Sequence, residues 1–280
     1  MDGLCRQGAD AASKLRPETQ QMNTREHRKR PEIGVYLHEA APVVELVKKY
    51  MLDGFDLVSP EQALPEPDRV TVYISNHGPM FAPLPAPALT VDYLLKQGKF
   101  DNLVAVTLFH RIIRFLPGMS TMMTRYFGHS TPALNSISGL VDQMKARRFH
   151  IIGTAPEGTS CMLSYDEPVG PFTKFGLLKA ALEANANIVL VAQRGIEPLG
   201  RRVRFPWGLT LPVFGQANGI QVPVIDPRLK VHVKVRHERY QPIMPADDRA
   251  KLPISDQRTL VGKEFTRMRR RMLEMYESLS

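Results

Sequence analysis

The chain has 280 residues, 43% of them hydrophobic and 23% charged, with 23 prolines and a formal net charge of +9. This length buries one sizeable core and the proline content predicts sharply punctuated turns, while the positive charge admits two classes of partner, nucleic acid or an anionic membrane surface. The two cysteines, Cys5 and Cys161, exclude a disulfide framework and a cysteine metal cluster, and no apolar run reaches the roughly 18 to 20 residues that span a bilayer.

Residues 1–30 are polar, carry the basic cluster Arg25, His27, Arg28, Lys29 and Arg30, and read as a flexible basic N-terminal arm without the apolar core of a signal peptide. One domain is expected over 31–280, in a reducing, cytoplasmic setting. Over 42–51 the apolar residues Val43, Leu46, Val47, Tyr50 and Met51 have the spacing of an amphipathic helix, with Pro42 tolerated in its first turn. A proline-rich linker over 60–67 leads to Val70-Thr-Val-Tyr-Ile74, β-branched and aromatic residues without Gly or Pro, which predict a buried strand. His77 follows in Ser75-Asn-His-Gly-Pro-Met-Phe-Ala-Pro83. In α/β proteins the carboxyl ends of strands are where a rigid sheet presents side chains to a ligand, so His77 is a candidate functional residue, against a plain helix-capping role.

A helix over about 88–97 ends at Gly98, and 103–107 reads as a second strand. The stretch 109–127 mixes Ile, Phe and Met with His110, Arg111, Arg114 and Arg125 and is broken by Pro117-Gly118. It predicts two short helices, either core pieces with snorkelling arginines or a surface that meets lipid. A helix over 136–147 feeds a strand over 149–153, and a turn Ala155-Pro-Glu-Gly-Thr-Ser160 follows. After Pro171-Phe-Thr-Lys-Phe-Gly176 come a helix over 177–184 and a strand over 188–192, so strand, glutamate turn, helix and strand make a βαβ-like crossover. Strands are predicted over 209–215 and 229–236, the second alternating Val231, Val233 and Val235 with polar residues. Two further basic clusters are Arg201, Arg202 and Arg204, and Arg267, Arg269, Arg270 and Arg271, each readable as a solvated face. The last helix, 255–279, carries Val261, Phe265, Met268, Met272, Met275 and Leu279 on a narrow seam, expected to pack back on the domain, with a coiled-coil partner as the alternative.

From Val70 to Ala192 the chain resembles the glycerolipid acyltransferases of the lysophosphatidate acyltransferase type. The resemblance rests on Ala155-Pro-Glu-Gly-Thr-Ser160, on Pro171-Phe-Thr-Lys-Phe-Gly176, on the apolar strand after that helix, and on Asn76-His77 some eighty residues upstream. It implies an α/β single domain with a mostly parallel or mixed central sheet flanked by helices. It also implies transfer of a fatty-acyl group from acyl-CoA or acyl carrier protein to a hydroxyl or amine of a lipid-type acceptor. His77 would be the general base, Glu157, Gly158, Thr159 and Ser160 would bind the acceptor, and Asn76 and Gly78 would support the site. No metal and no cofactor beyond the thioester co-substrate are implied. The basic surface would suit peripheral association with anionic membrane; no nucleic-acid motif accompanies the charge.

The chain is a divergent member on this resemblance. Ala82 stands where the family has an aspartate five residues after the histidine, and Ser160 stands where it has an arginine. Residues 128–135 lack the arginine of a further motif. Arginines there would suit a phosphate through bidentate bonds that Ser cannot make. The implied acceptor therefore differs from lysophosphatidate, and either Glu157 or Asp92 could orient the histidine if the fold brings it into reach. The alternative is a catalytically silent relative that binds acyl chains or acyl carriers as a scaffold.

Overall fold

The strand that delivers His77 is the spine of the fold. β3 (Thr71–Ser75) is buried along its whole length, as a strand covered on both faces must be, and this explains its run of apolar residues without polar alternation. The structure, a computed structural model, describes residues 31–78, 84–107, 125, 134, 136–157, 168–204, 219–224, 226 and 228–280. Residues Ile33–Ser280 form one compact unit. Residues 1–30, Ala82, most of 109–127, the stretch 128–135 apart from Leu134, Gly158, Thr159, Ser160, Cys161 and the strand expected over 209–215 lie outside the described residues.

Around β3 lie β1 (Val35–Tyr36), β2 (Leu52–Val58), β4 (Val104–Thr107), β5 (Ile151–Thr154), β6 (Asn187–Arg194) and β9 (Val231–Tyr240). They form a sheet in the order β1-β4-β5-β3-β6-β9-β2. The inner strands β4, β5, β3 and β6 are mutually parallel, β9 runs antiparallel to β6, and β1 antiparallel to β4. The sheet is therefore mixed with a parallel centre, the α/β class that the sequence predicts. A separate antiparallel pair joins β7 (Gly200–Arg204) to β8 (Gly219–Pro223).

Side chains alternate across β3, so Val72 and Ile74 enter one core cluster and Tyr73 the other. Helices cover both faces. α1 (Ala41–Met51) and α2 (Pro85–Lys96) bring Val44, Val47, Leu89 and Leu94 to the Tyr73 side. On the Val72 side, α3 (Ile137–Lys145), α4 (Gly176–Glu183) and α6 (Ile254–Glu277) bring Leu140, Leu178, Met268 and Met272. α5 (Ala246–Ala250) is a single short turn before α6. The methionine seam of α6 packs on the domain, with Met268 and Met272 fully buried.

Several elements differ from the sequence reading. On α1 the buried positions are Val44 and Val47, while Leu46 and Tyr50 are each 55% exposed. The helix is rotated so that one narrow stripe meets the core, and Lys49 covers the Tyr50 ring instead. α2 begins at Pro85, earlier than expected, because proline fits the first helical turn, where no intrahelical N–H bond is needed. β2 has no counterpart in the sequence reading: Leu-Asp-Gly-Phe-Asp-Leu-Val is an edge strand whose acidic residues face outward. A Cβ at its Gly54 would sit 2.6 Å from His232 Nδ1, so a larger residue there would displace the His232 ring. β9 extends to Tyr240 because it pairs with two strands, β2 over Val231–Arg236 and β6 over Lys234–Tyr240.

Candidate active site

Register brings the two sequence motifs together. Ile74 of β3 pairs with Thr154 of the neighbouring β5, and His77 and Glu157 each follow three residues later. They therefore emerge side by side at the carboxyl edge of the parallel strands. The chain leaves β3 toward α2 on one face of the sheet and leaves β5 toward α4 on the other. Connections that part in this way open a crevice between two strand ends, the usual ligand position in an open α/β sheet.

The His77 backbone N–H donates to Glu157 Oε1 at 3.0 Å. The His77 ring turns back on its own neighbour, with Nδ1 3.0 Å from the Gly78 carbonyl oxygen. A carbonyl can only accept, so Nδ1 carries the hydrogen and Nε2 keeps its lone pair. Gly78 has φ of 64°, a left-handed conformation that glycine adopts without a Cβ penalty, which is the local reason for glycine in Asn-His-Gly. Burial holds the His77 imidazole below its usual pKa, with the Gly78 carbonyl pulling the other way.

Glu157 is 2% exposed. Burial pushes its carboxyl up to about 7, against the pull of the His77 and Gly170 N–H groups and the Arg269 guanidinium. Thr173 Oγ1 donates to the Glu157 carbonyl at 2.8 Å, and the backbone N–H groups of Thr173 and Lys174 both donate to the Pro156 carbonyl. The two motifs that carry the resemblance, around Glu157 and around Thr173, are thus bonded to each other.

Asn76 anchors the strand end. Its Oδ1 accepts from the Gln193 backbone N–H at 2.8 Å and its Nδ2 donates to the Gln193 carbonyl at 3.0 Å. Gln193 answers by donating from Nε2 to the Asn76 carbonyl, and its Oε1 accepts from the first-turn N–H of Ala86 in α2. Both side chains are buried, at 1% and 0% exposure, so the pair locks β3, β6 and α2 around the loop that carries His77. Gln193 was not singled out in the sequence; its signal is a polar residue ending the apolar run Ile188 to Ala192. Of the two carboxylates weighed as partners for the His77 ring, Glu157 binds the His77 backbone, and Asp92 binds Lys48 at 3.2 Å and Lys96 at 2.7 Å. The Nδ1 position is taken by the neutral Gly78 carbonyl. Among the described residues no group of three or more His, Cys, Asp or Glu side chains is placed to hold a metal ion.

No family model matches the chain, and no curated protein matches it. Among solved structures, the 1-acyl-sn-glycerophosphate (LPA) acyltransferase PlsC from Thermotoga maritima is similar, with 16% sequence identity over 85% of this chain and 79% of that chain and a TM-score of 0.47. Similarity at this level decides neither family nor activity. The functional reading stands on the residues of this chain.

Proposed function

We propose that the protein is an acyltransferase in which His77 Nε2 takes the proton of an acceptor hydroxyl or amine. The acceptor atom attacks the carbonyl of a fatty-acyl thioester, the carbon–sulfur bond breaks, and the thiolate of coenzyme A or acyl carrier protein leaves with the proton. The observation that carries this reading is the fixed tautomer: Nδ1–H is held on the Gly78 carbonyl, so the basic nitrogen is the one left for substrate. A neutral hydroxyl is a poor nucleophile, and an imidazole that burial holds below its usual pKa keeps the lone pair that takes its proton during attack. The motif resemblance supplies the substrate class, and Glu157, Gly158, Thr159 and Ser160 would border the acceptor, with Asn76 and Gly78 as support. Ser160 and the arginine-free 128–135 stretch favour an acceptor without a phosphate. No helix among the described residues is long and apolar enough to cross a membrane, and the enzyme would work peripherally on an anionic surface.

One observation favours a second reading, the silent acyl-binding relative. A neutral carbonyl behind the imidazole stabilises the imidazolium less than a carboxylate does. Incubation of the full chain with radiolabelled acyl-CoA or acyl carrier protein and a panel of hydroxyl and amine acceptors separates the two. Label on a phosphate-free acceptor is the expected result. Tight acyl-chain binding with neither transfer nor thioester hydrolysis would overturn the enzyme reading.

A further inference from the structure

Arg269 lies in the third basic cluster, on the long C-terminal helix α6, 192 residues after His77 in the sequence. Its guanidinium does not face solvent as a free charge. Nε donates to the Gly170 carbonyl at 3.1 Å and Nη2 to the Val169 carbonyl at 3.0 Å. These carbonyls belong to the strap 168–170 that precedes α4, which is held from the other side too, where Asn76 Nδ2 reaches the Pro168 carbonyl at 3.5 Å. Val169 is fully buried, so the strap is fixed by packing as well as by these bonds.

The strap leads to the site. The Gly170 N–H acts on the Glu157 carboxyl, as does the Arg269 charge, and Glu157 Oε1 holds the His77 backbone N–H. A planar, always-charged guanidinium that grips two successive carbonyls sets the direction of the peptide between them. That peptide includes the Gly170 N–H which Glu157 meets.

We propose that Arg269 is a positioning residue for His77, acting through the carbonyls of Val169 and Gly170 and through Glu157. The C-terminal helix is thereby part of the active-site support and more than a cover for the core. The proposal rests on the reading of His77 as the base only for its effect on turnover; its effect on Glu157 stands independently.

Among the described residues, the titratable and charged groups beside the Glu157 carboxyl are His77 beyond β3 and Arg269 on α6. The test compares Arg269→Gln, which keeps a hydrogen-bond donor and loses the charge, with Arg269→Lys, which keeps the charge. In the full-length chain, carbon-detected NMR follows the Glu157 carboxyl through its titration, and kcat and KM are measured with the acceptor found active. Arg269→Gln is expected to raise the Glu157 midpoint by about one pH unit, the scale of losing a neighbouring opposite charge. It should lower kcat about tenfold with little change in KM, since mispositioning of a base acts on turnover. Arg269→Lys should restore most of the midpoint and less of kcat. An unmoved Glu157 midpoint in Arg269→Gln overturns the proposal, and so does an unchanged kcat. If the wild-type chain transfers no acyl group, the acyltransferase reading falls while the Glu157 titration still decides the link from Arg269. If Arg269→Gln does not fold, Arg269→Lys decides: a Glu157 midpoint near wild type with kcat reduced tenfold or more supports the proposal, while a midpoint and kcat both equal to wild type overturn it, as does a shifted midpoint despite the retained charge.

Discussion

Two residues stand at the centre of the candidate site, and each is shaped by what lies directly against it. His77 has its ring on the Gly78 carbonyl and its N–H on Glu157, so it is fixed at two points while Nε2 keeps its lone pair. Glu157 is an acid whose burial favours the protonated form, pushed up to about 7. The unfolded chain releases this proton near the ordinary glutamate value and the folded chain holds it longer, so folding stability falls as pH rises from about 4.5 to about 7. The full cost, on the order of 3 kcal/mol, is in place above that window. Glu157→Gln keeps an oxygen for the His77 N–H and removes the ionisation. Urea unfolding at pH 4.5 and pH 8 should show the variant gaining about 3 kcal/mol on the wild type between the two. A difference between variant and wild type that is the same at both pH values would contradict the buried, ionising Glu157.

At the scale of elements, the site exists because β3, β5 and β6 end together and are tied where they end. The Asn76–Gln193 exchange uses both polar ends of the Asn76 amide and the Nε2 of Gln193, whose Oε1 accepts from Ala86, and both side chains are buried. Asn76→Ala leaves the buried Gln193 N–H and carbonyl without these partners and is expected to cost about 2 to 4 kcal/mol in urea unfolding. A loss below about 0.5 kcal/mol would show that the clamp contributes little. These strands were legible in the sequence because buried parallel strands are written in β-branched residues, as in Val70 to Ile74 and Ile188 to Ala192. Edge strand β2 was not, since Asp53, Gly54 and Asp56 break its apolar pattern and its pairing with β9 is a long-range event. The exposed face of α1 was misread for a related reason: periodicity gives the apolar positions, and neighbours decide which of them meet the core. The pairing of His77 with Glu157 could be expected only from the motif resemblance. The hydrogen bond from the His77 ring to the Gly78 carbonyl is a backbone contact that no side-chain pattern records.

For the whole molecule, the positive charge divides into unlike parts. The four clustered arginines of α6, Arg267, Arg269, Arg270 and Arg271, do not form one patch. Arg267 lies over the Tyr240 ring, Arg269 grips the strap at Val169 and Gly170, Arg270 approaches Glu274, and Arg271 makes a bidentate pair with Glu238 at 2.5 and 2.7 Å. Much of this cluster therefore serves internal contacts, and it does not by itself mark a docking face for nucleic acid or membrane. The α/β frame brings His77 and the buried Glu157 together at one sheet edge, and Arg269 of α6 bonds to the carbonyls of Val169 and Gly170. The proposed base is His77 Nε2. The most direct measurement is the initial rate of acyl transfer from radiolabelled donor by His77→Ala and wild type, with circular dichroism and urea unfolding to show that both are folded. A loss of about 100-fold or more in the folded variant is the predicted result. Transfer by folded His77→Ala at the wild-type rate would contradict it.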